Sequence, residues 1–246
     1  MVNTPASVAV QQSDGHRPGS GRSLDDRVPF LARLEQAERT ALLSLGRRLR
    51  YPPRSTVIRQ EEPSDHVLLI LHGWLKVTAA APNGYEALLA LRGPGDIVGE
   101  SAALSGRPRA ATVTTLEPVE AVAVDRTTFT AHLQRAPATA LQLLALSTDR
   151  LRTADRRRLD FASLSVSERL SDLLLELART HGSPTDEGIL ITVPLSQQEL
   201  AGSVGASREA VARLLRSLRD RGVVITRRRS LVIARPDVLR RSGQFG

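Results

Sequence analysis

The chain contains no cysteine, and aromatic residues make up only 3% of its 246 positions. Without thiols it can form no disulfide, no thiolate zinc site and no cysteine-bound iron–sulfur cluster. Long apolar runs are also missing, and stretches such as Val67–Leu71 are far too short to span a bilayer. The N-terminus has no apolar signal core, so we expect a cytoplasmic protein with no membrane partner.

Lysine is almost absent as well, since Lys76 is the only one. Arginine therefore supplies nearly all the positive charge of a chain whose formal net charge is +8. This balance favours a polyanionic partner, because guanidinium groups suit phosphates and guanine edges. Genome composition explains an arginine excess equally well, so charge alone does not assign a function.

Catalytic patterns are missing too. The sequence has no nucleophile–base pair, metal cluster or phosphate loop of the NTPase type, so we do not expect an enzyme. His66, His72 and His132 are scattered, and such histidines are usually solvated or packed. We therefore expect neither a metal nor a haem group.

The N-terminal half changes its period along the chain. Residues 1–24 are rich in Ser, Gly, Gln and Pro and predict a flexible tail, whereas residues 26–50 carry apolar residues at helical spacing. Short strand-like runs follow, separated by turn signals such as Pro82–Asn83–Gly84, and they predict an antiparallel jelly roll within residues 25–136. The runs are Ser55–Gln60, Val67–Val77, Glu86–Leu91, Ala111–Thr115 and Ala121–Val124, and a short helix is predicted at Thr127–Leu133.

A long helix is predicted from Pro137 to about Asp160. Leu144 and Leu151 lie seven residues apart on it, as do Leu141, Thr148 and Asp155. This short heptad seam predicts a dimerisation helix at residues 137–162, although an ordinary core helix would show a similar pattern. A break near Ser163–Ser165 then marks the start of a C-terminal domain at residues 163–246, which opens with a helix at Val166–Thr180.

The segment Leu195–Gly222 predicts a helix-turn-helix. Gly205 lies in the turn, where a positive φ is needed, and Ser207 can cap the second helix. Ala201 lies where the two helices pack closest. Two alternating runs around Arg227–Arg229 add a hairpin wing. The predicted fold class is therefore α+β, with an N-terminal jelly roll, a long helix and a C-terminal winged helix-turn-helix.

A helix-turn-helix of this kind places the start of its second helix in the major groove of DNA. Arginine can donate to guanine O6 and N7, and glutamate can accept from cytosine N4, so base edges are assigned to Arg208, Glu209 and Arg213. Phosphate contacts are assigned to Ser196, Gln197 and Ser207, which lie at helix N-termini.

The sequence SREAVARLL resembles the recognition helix of the Crp/Fnr family, and the resemblance extends over roughly residues 26–240. GESAALSGRPRAAT, at residues 99–112, resembles the phosphate-binding cassette of cyclic-nucleotide receptors. Arg109 offers a planar guanidinium to a cyclic phosphate, and Glu100 can accept from a ribose 2′-hydroxyl. The binding set predicted from the cassette is Gly99, Glu100, Ser101, Arg109, Ala110 and Ala111.

Two positions depart from the family pattern. Where relatives carry a Thr-Ser pair that contacts adenine, this chain has Ala154 and Asp155. Asp155 could accept from adenine N6 or from guanine N1 and N2, or instead pair with Arg158 one turn later. Glu61–Glu62 replaces a turn that usually contains glycine.

The resemblance implies a homodimeric transcription regulator that is controlled by a cyclic nucleotide, with cAMP favoured over cGMP. It further implies TGTGA-type half-sites in double-stranded DNA and RNA polymerase as a partner. Two alternatives stay open: a regulator of the same architecture with another ligand or none, and a nucleotide-binding module whose helix-turn-helix contacts protein.

Overall fold

The computed structural model describes residues 28–63, 65–227 and 230–242, without the side chains of the last two. The predicted tail at residues 1–24 and part of the arginine turn of the wing lie outside these ranges. Among the described residues, no helix is both long enough and apolar enough to cross a membrane.

The N-terminal half is a two-sheet antiparallel barrel. A 3-10 turn (Phe30–Arg33) and helix α1 (Gln36–Leu43) precede it, and the strand orders are β1-β8-β3-β6 and β2-β7-β4-β5. The strands are β1 (Arg47–Tyr51), β2 (Thr56–Ile58), β3 (His66–His72), β4 (Leu75–Ala80), β5 (Glu86–Arg92), β6 (Ile97–Val98), β7 (Thr112–Thr115) and β8 (Val119–Asp125), with helix α2 (Glu100–Ser105) between β6 and β7. Apolar side chains such as Ile70, Val113 and Ala121 fill the space inside the barrel.

Two local predictions were wrong. The helix expected over residues 26–50 ends at Leu43, and Arg47–Tyr51 instead forms β1, paired with β8. A Cβ at Gly46 would lie 2.2 Å from the carbonyl oxygen of Ala123, so glycine permits the close approach that starts this strand. The single strand predicted at Val67–Val77 is two strands in different sheets, because the chain turns at Gly73 with a φ of +82°.

The second half is helical with one small sheet. Helix α3 (Arg126–Arg135) leads into the long α4 (Pro137–Ser163), and Leu164 is extended before Ser165 caps α5 (Val166–His181). Strands β9 (Gly182–Thr185) and β10 (Gly188–Ile191) follow, then helices α6 (Gln197–Val204) and α7 (Arg208–Asp220). The predicted wing is β11 (Val224–Arg227) and β12 (Ser230–Ile233), before α8 (Pro236–Ser242). Strands β9 and β10, which the sequence pattern did not indicate, extend the wing to a four-stranded sheet in the order β11-β12-β10-β9.

Both halves contribute to one apolar core. Leu88, Leu91 and Leu116 of the barrel belong to the same buried cluster as Leu174 and Leu200 of the C-terminal half. Burial of this kind is the main favourable contribution to folding. The winged helix is therefore packed directly against the barrel.

Candidate ligand-binding and DNA-binding sites

The cassette begins with a sharp backbone turn at Gly99, whose φ is +88°. A Cβ at this position would lie 2.5 Å from Nη1 of Arg109 and 3.2 Å from the carbonyl oxygen of His66. Only glycine therefore allows Arg109 to lie beneath the start of α2. The helix is one and a half turns long and ends at Gly106, again with a positive φ.

Arg109 is almost fully buried, with 3% of its surface exposed. Its Nη1 donates to the carbonyl of Gly99 at 3.0 Å, and its Nη2 donates to the carbonyl of His66 at 2.7 Å and reaches Asp65 at 3.4 Å. Burial lowers the pKa of Arg109, and the carboxylates of Asp65 and Glu100 oppose that effect. A guanidinium has five N–H groups, so these contacts fix its orientation and still leave donors for an anion.

Glu100 contacts a residue that sequence reasoning missed. It is 9% exposed, and its Oε1 accepts a hydrogen bond from Nη1 of Arg150 on α4. The same guanidinium donates to the carbonyl of Ile97 at 3.2 Å. Arg150 lies one turn before Ala154 on the same helix, and this spacing is the only sequence signal that could have singled it out. The contact ties the cassette to the long helix.

The other cassette residues surround Arg109 without forming a closed site. Ser101 and Ala110 are exposed and Ala111 is half-buried. The backbone of Arg109 exchanges hydrogen bonds with the Glu61–Glu62 turn, from Glu61 N to Arg109 O and from Arg109 N to Glu62 O, both at 2.9 Å. Glu61 has a φ of +67°, so the turn keeps the left-handed geometry in which the family usually places glycine.

Ala154 and Asp155 of α4, which replace the adenine-contacting pair of the family pattern, are placed differently. Thr153 and Ala154 line a cavity of about 300 Å³ between α4, β5 and α6, together with Leu89 and Arg150. Asp155 does not line it: its side chain is 58% exposed and lies 3.5 Å from Arg158. The structure therefore has the helical ion pair that the sequence left as an alternative.

Helix α4 has two apolar faces. Thr139, Leu143 and Leu146 are buried against the barrel. Leu141, Leu144 and Leu151 of the predicted seam are exposed, each by more than 60%. An apolar stripe of this extent on a helix is typical of a surface that packs against a partner.

The helix-turn-helix has the predicted local geometry. Gly205 adopts a φ of +62°, Ala201 is fully buried, and the Oγ of Ser207 accepts from the amide of Ala210 at 3.1 Å. The buried face of α7 consists of Val211, Leu215 and Leu218. These contacts fix which face of α7 points outward.

The predicted DNA contacts all lie on the surface. Arg208, Glu209 and Arg213 form an exposed face along the first half of α7. Ser196 and Gln197 are exposed at the N-terminus of α6, and Ser207 is exposed at that of α7. The helix-turn-helix thus presents cationic side chains of α7 and the N-termini of α6 and α7 at the surface, which are groups that suit contact with a polyanion.

Comparison with known proteins matches both halves of the chain. Residues 48–136 match the cyclic nucleotide-binding domain, and residues 168–242 match the Crp-like helix-turn-helix domain. A CRP-like cAMP-activated global transcriptional regulator of Mycobacterium tuberculosis is 32% identical over 221 residues, which are 89% of this chain and 99% of the relative. The cAMP-activated global transcriptional regulator CRP of Escherichia coli is 28% identical over 75% of this chain and 88% of its own length.

Among solved structures, the c-di-GMP-responsive global regulator CLP of Xanthomonas campestris has the same fold. Its TM-score is 0.74 at 24% identity, covering 81% of this chain and 99% of that one. Family models, sequence relatives and fold agree along most of the chain. It therefore belongs to the Crp family of DNA-binding transcription regulators that carry an N-terminal cyclic-nucleotide-binding domain.

Proposed function

We propose that the protein is a homodimeric regulator whose binding to TGTGA-type palindromes is controlled by a cyclic nucleotide, cAMP first. The observation that carries this proposal is the contact between Glu100 of the cassette and Arg150 of α4. It connects a candidate ligand site directly to the helix with the unpartnered apolar seam. A ligand can act only by binding two arrangements of the protein with different affinities. A ligand that contacts Glu100 would favour one arrangement of the contact between Glu100 and α4 over another.

In this proposal the ligand set is Gly99, Glu100, Ser101, Arg109, Ala110 and Ala111, with Asp155 nearest the base. The guanidinium of Arg109 holds the cyclic phosphate through the donors that its carbonyl contacts leave. Glu100 accepts a hydrogen bond from the ribose hydroxyl in addition to the one that it accepts from Arg150. The cytoplasm is the proposed site of action, RNA polymerase the proposed further partner, and no catalytic step is assigned to the protein.

The dimer is proposed to form along the seam of α4. In this proposal residues 25–136 are the ligand-binding domain, residues 137–162 the dimerisation helix and residues 163–246 the DNA-binding domain. Two copies related by a twofold axis would present α7 to successive major grooves about 34 Å apart. Arg208, Glu209 and Arg213 read base edges there, while Ser196, Gln197 and Ser207 contact phosphates. Light scattering on Leu144→Lys tests the dimer: we expect the mass of a monomer, and an unchanged dimer mass would contradict the seam.

A second effector is the alternative with an observation in its favour. Asp155 pairs with Arg158 and is largely exposed, so its carboxylate is not held toward the cavity that Thr153 and Ala154 line. The same architecture would then respond to cGMP or to another ligand.

Calorimetric titration of cAMP and cGMP, followed by gel shifts on a TGTGA palindrome, separates these cases. We expect cAMP to bind the wild type and DNA binding to require cAMP. In Arg109→Lys the affinity for cAMP should fall at least about tenfold, because lysine keeps the charge but lacks the planar guanidinium. Equal cAMP binding in the variant would contradict the role of Arg109. Scrambled DNA of the same length is the control.

A further inference from the structure

Helix α6, the first helix of the helix-turn-helix, lies directly on strand β5 of the barrel. A Cβ at Gly202 would lie 2.6 Å from the carbonyl oxygen of Glu86 and 3.4 Å from the amide of Leu88. The Oη of Tyr85 donates to the carbonyl of Gly202 at 3.4 Å. The helix thus meets the strand backbone to backbone, and we call this contact the α6–β5 junction.

The only lysine of the chain lies at this junction. Lys76 is on β4, opposite Leu91 of β5, and its Nζ donates to Oε1 of Glu199 on α6. The side chains are 20% and 15% exposed, and Glu86 lies 4.0 Å from the same Nζ. Because the pair is largely buried, removal of either partner leaves the other charge poorly solvated.

Glu199 also organises the N-terminus of α6. Its Oε2 accepts from the amide of Ser196 at 2.6 Å, and its own amide donates to Oγ of Ser196 at 3.2 Å. This reciprocal arrangement is a capping box. Burial acts to raise the pKa of Glu199, but hydrogen bonds from Lys76 and Ser196 outweigh it and hold that pKa below its usual value. One carboxylate therefore connects the barrel to the helix end that carries two of the proposed phosphate contacts.

Strand β5, which pairs with β4 at Lys76, is followed in the chain by the segment that enters the cassette. Strand β5 ends at Arg92, and the chain then passes through Asp96 and β6 to Gly99. The amide of Gly93 donates to Asp96, and Nη2 of Arg150 lies 3.9 Å from the Asp96 carboxylate. A shift of β5 would therefore reach both the cassette and Lys76.

We propose that Lys76 is a positioning residue that locks the helix-turn-helix to the barrel through Glu199. Nucleotide-dependent movement of the barrel then reaches the N-terminus of α6 through this ion pair, as well as through α4. The regulatory part rests on the proposed function, whereas the lock itself does not.

The chain offers a natural reporter for the lock. Trp74 is the only tryptophan, and its ring centroid lies 4.2 Å from that of His181 at the end of α5, so it lies between barrel and winged helix. Quenching of its fluorescence by acrylamide measures how far the two halves separate. We expect Lys76→Met and Glu199→Gln to raise the quenching constant by about twofold or more, because the junction opens more often.

Matched variants distinguish the lock from general damage. Gln is also accepted at this position of a capping box, so Glu199→Gln removes the charge and keeps the cap. Glu168 occupies the same position in the capping box of α5, where Ser165 is the cap, and Glu168→Gln should leave quenching unchanged. Lys76→Arg should also behave as wild type. Unchanged quenching in both Lys76→Met and Glu199→Gln overturns the proposal.

The regulatory part is tested by DNA affinity with and without cAMP on a TGTGA palindrome. We expect the ratio of the two affinities to fall several-fold toward one in Lys76→Met and Glu199→Gln, while cAMP affinity measured by calorimetry stays within about twofold. If the wild type shows no response to cAMP, the proposed function fails, and quenching alone decides the lock. If the wild type responds and both variants respond equally, the coupling through Lys76 is refuted.

Discussion

The cassette and the helix-turn-helix place their charged side chains in opposite ways. Arg109 and Glu100 are buried and already bound to protein groups, whereas Arg208, Glu209 and Arg213 are exposed on α7. A small anion can be enclosed, so its site can share donors with the protein's own carbonyls. DNA is too large to enclose, so its contacts must stand free on a rigid helix. The same residue type therefore contributes to stability in one region and to recognition in the other.

The largest expected effect is that of Arg109→Ala. The carbonyls of Gly99 and His66 would lose their donor, so we expect the free energy of unfolding to fall by about 3 kcal/mol. Urea unfolding monitored by Trp74 measures this loss. Arg107→Ala, an exposed arginine of the same loop, is the control and should have little effect. Equal stability of the two variants would remove the distinction between the regions.

Arg213→Ala should do the reverse. Arg213 is exposed on α7, so we expect its removal to change the free energy of unfolding by less than about 0.5 kcal/mol. Discrimination between a TGTGA palindrome and one with altered half-sites should fall by about 1–3 kcal/mol. Arg216→Ala is the comparison, since loss of a phosphate contact should weaken binding to both DNAs by the same factor. A variant of Arg213 that still discriminates fully would contradict base reading.

A pH effect is expected at His181, which lies beside Trp74 where the barrel meets the winged helix. Burial lowers the pKa of His181 to about 4 from its usual 6.5. The unfolded chain therefore takes up a proton near pH 6.5 while the folded one does not, so stability falls as the pH drops from 6.5 toward 4. We expect a loss of about 1 kcal/mol between pH 7 and 5.5 in urea unfolding. His181→Phe should reduce this slope, although His132, whose pKa is also lowered by burial, retains part of it.

The smallest effect concerns backbone strain. Gly205 and Glu61 have nearly the same positive φ, but only one of them is a glycine. We expect Glu61→Gly to stabilise the protein by up to about 1 kcal/mol because it relieves strain beside the cassette. Gly205→Ala should destabilise it, since the new Cβ would lie 2.7 Å from the ring of Phe161. Thermal melting of both variants, with Glu62→Gly as control, measures the contrast.

Local signals in the sequence were sufficient for the helix-turn-helix. A glycine that needs a positive φ, a serine cap and an apolar stripe act within a few residues of each other, so Gly205, Ser207 and the face of α7 could be predicted. These features depend on contacts between neighbours in the chain.

Contacts between distant residues escaped prediction. Arg150 and Glu100 lie 50 residues apart, and Lys76 and Glu199 lie 123 apart. No local pattern records which arginine meets a given carboxylate. Strand β1 failed for a related reason: it directly follows a run with helical apolar spacing, and only its pairing with β8 makes it a strand.

Helix α4 is continuous from Pro137 to Ser163. It can therefore act as a lever, pivoting near Arg150 and carrying the winged helix at its far end. At 1.5 Å per residue, Ser163 lies about 20 Å beyond Arg150 along the axis. A tilt of about 10° at the pivot would move that end by about 3.5 Å, close to the ~3.4 Å rise of one base pair. A small tilt at the cassette end of α4 would thus be amplified, at the other end of the helix, to a displacement comparable to one base-pair step.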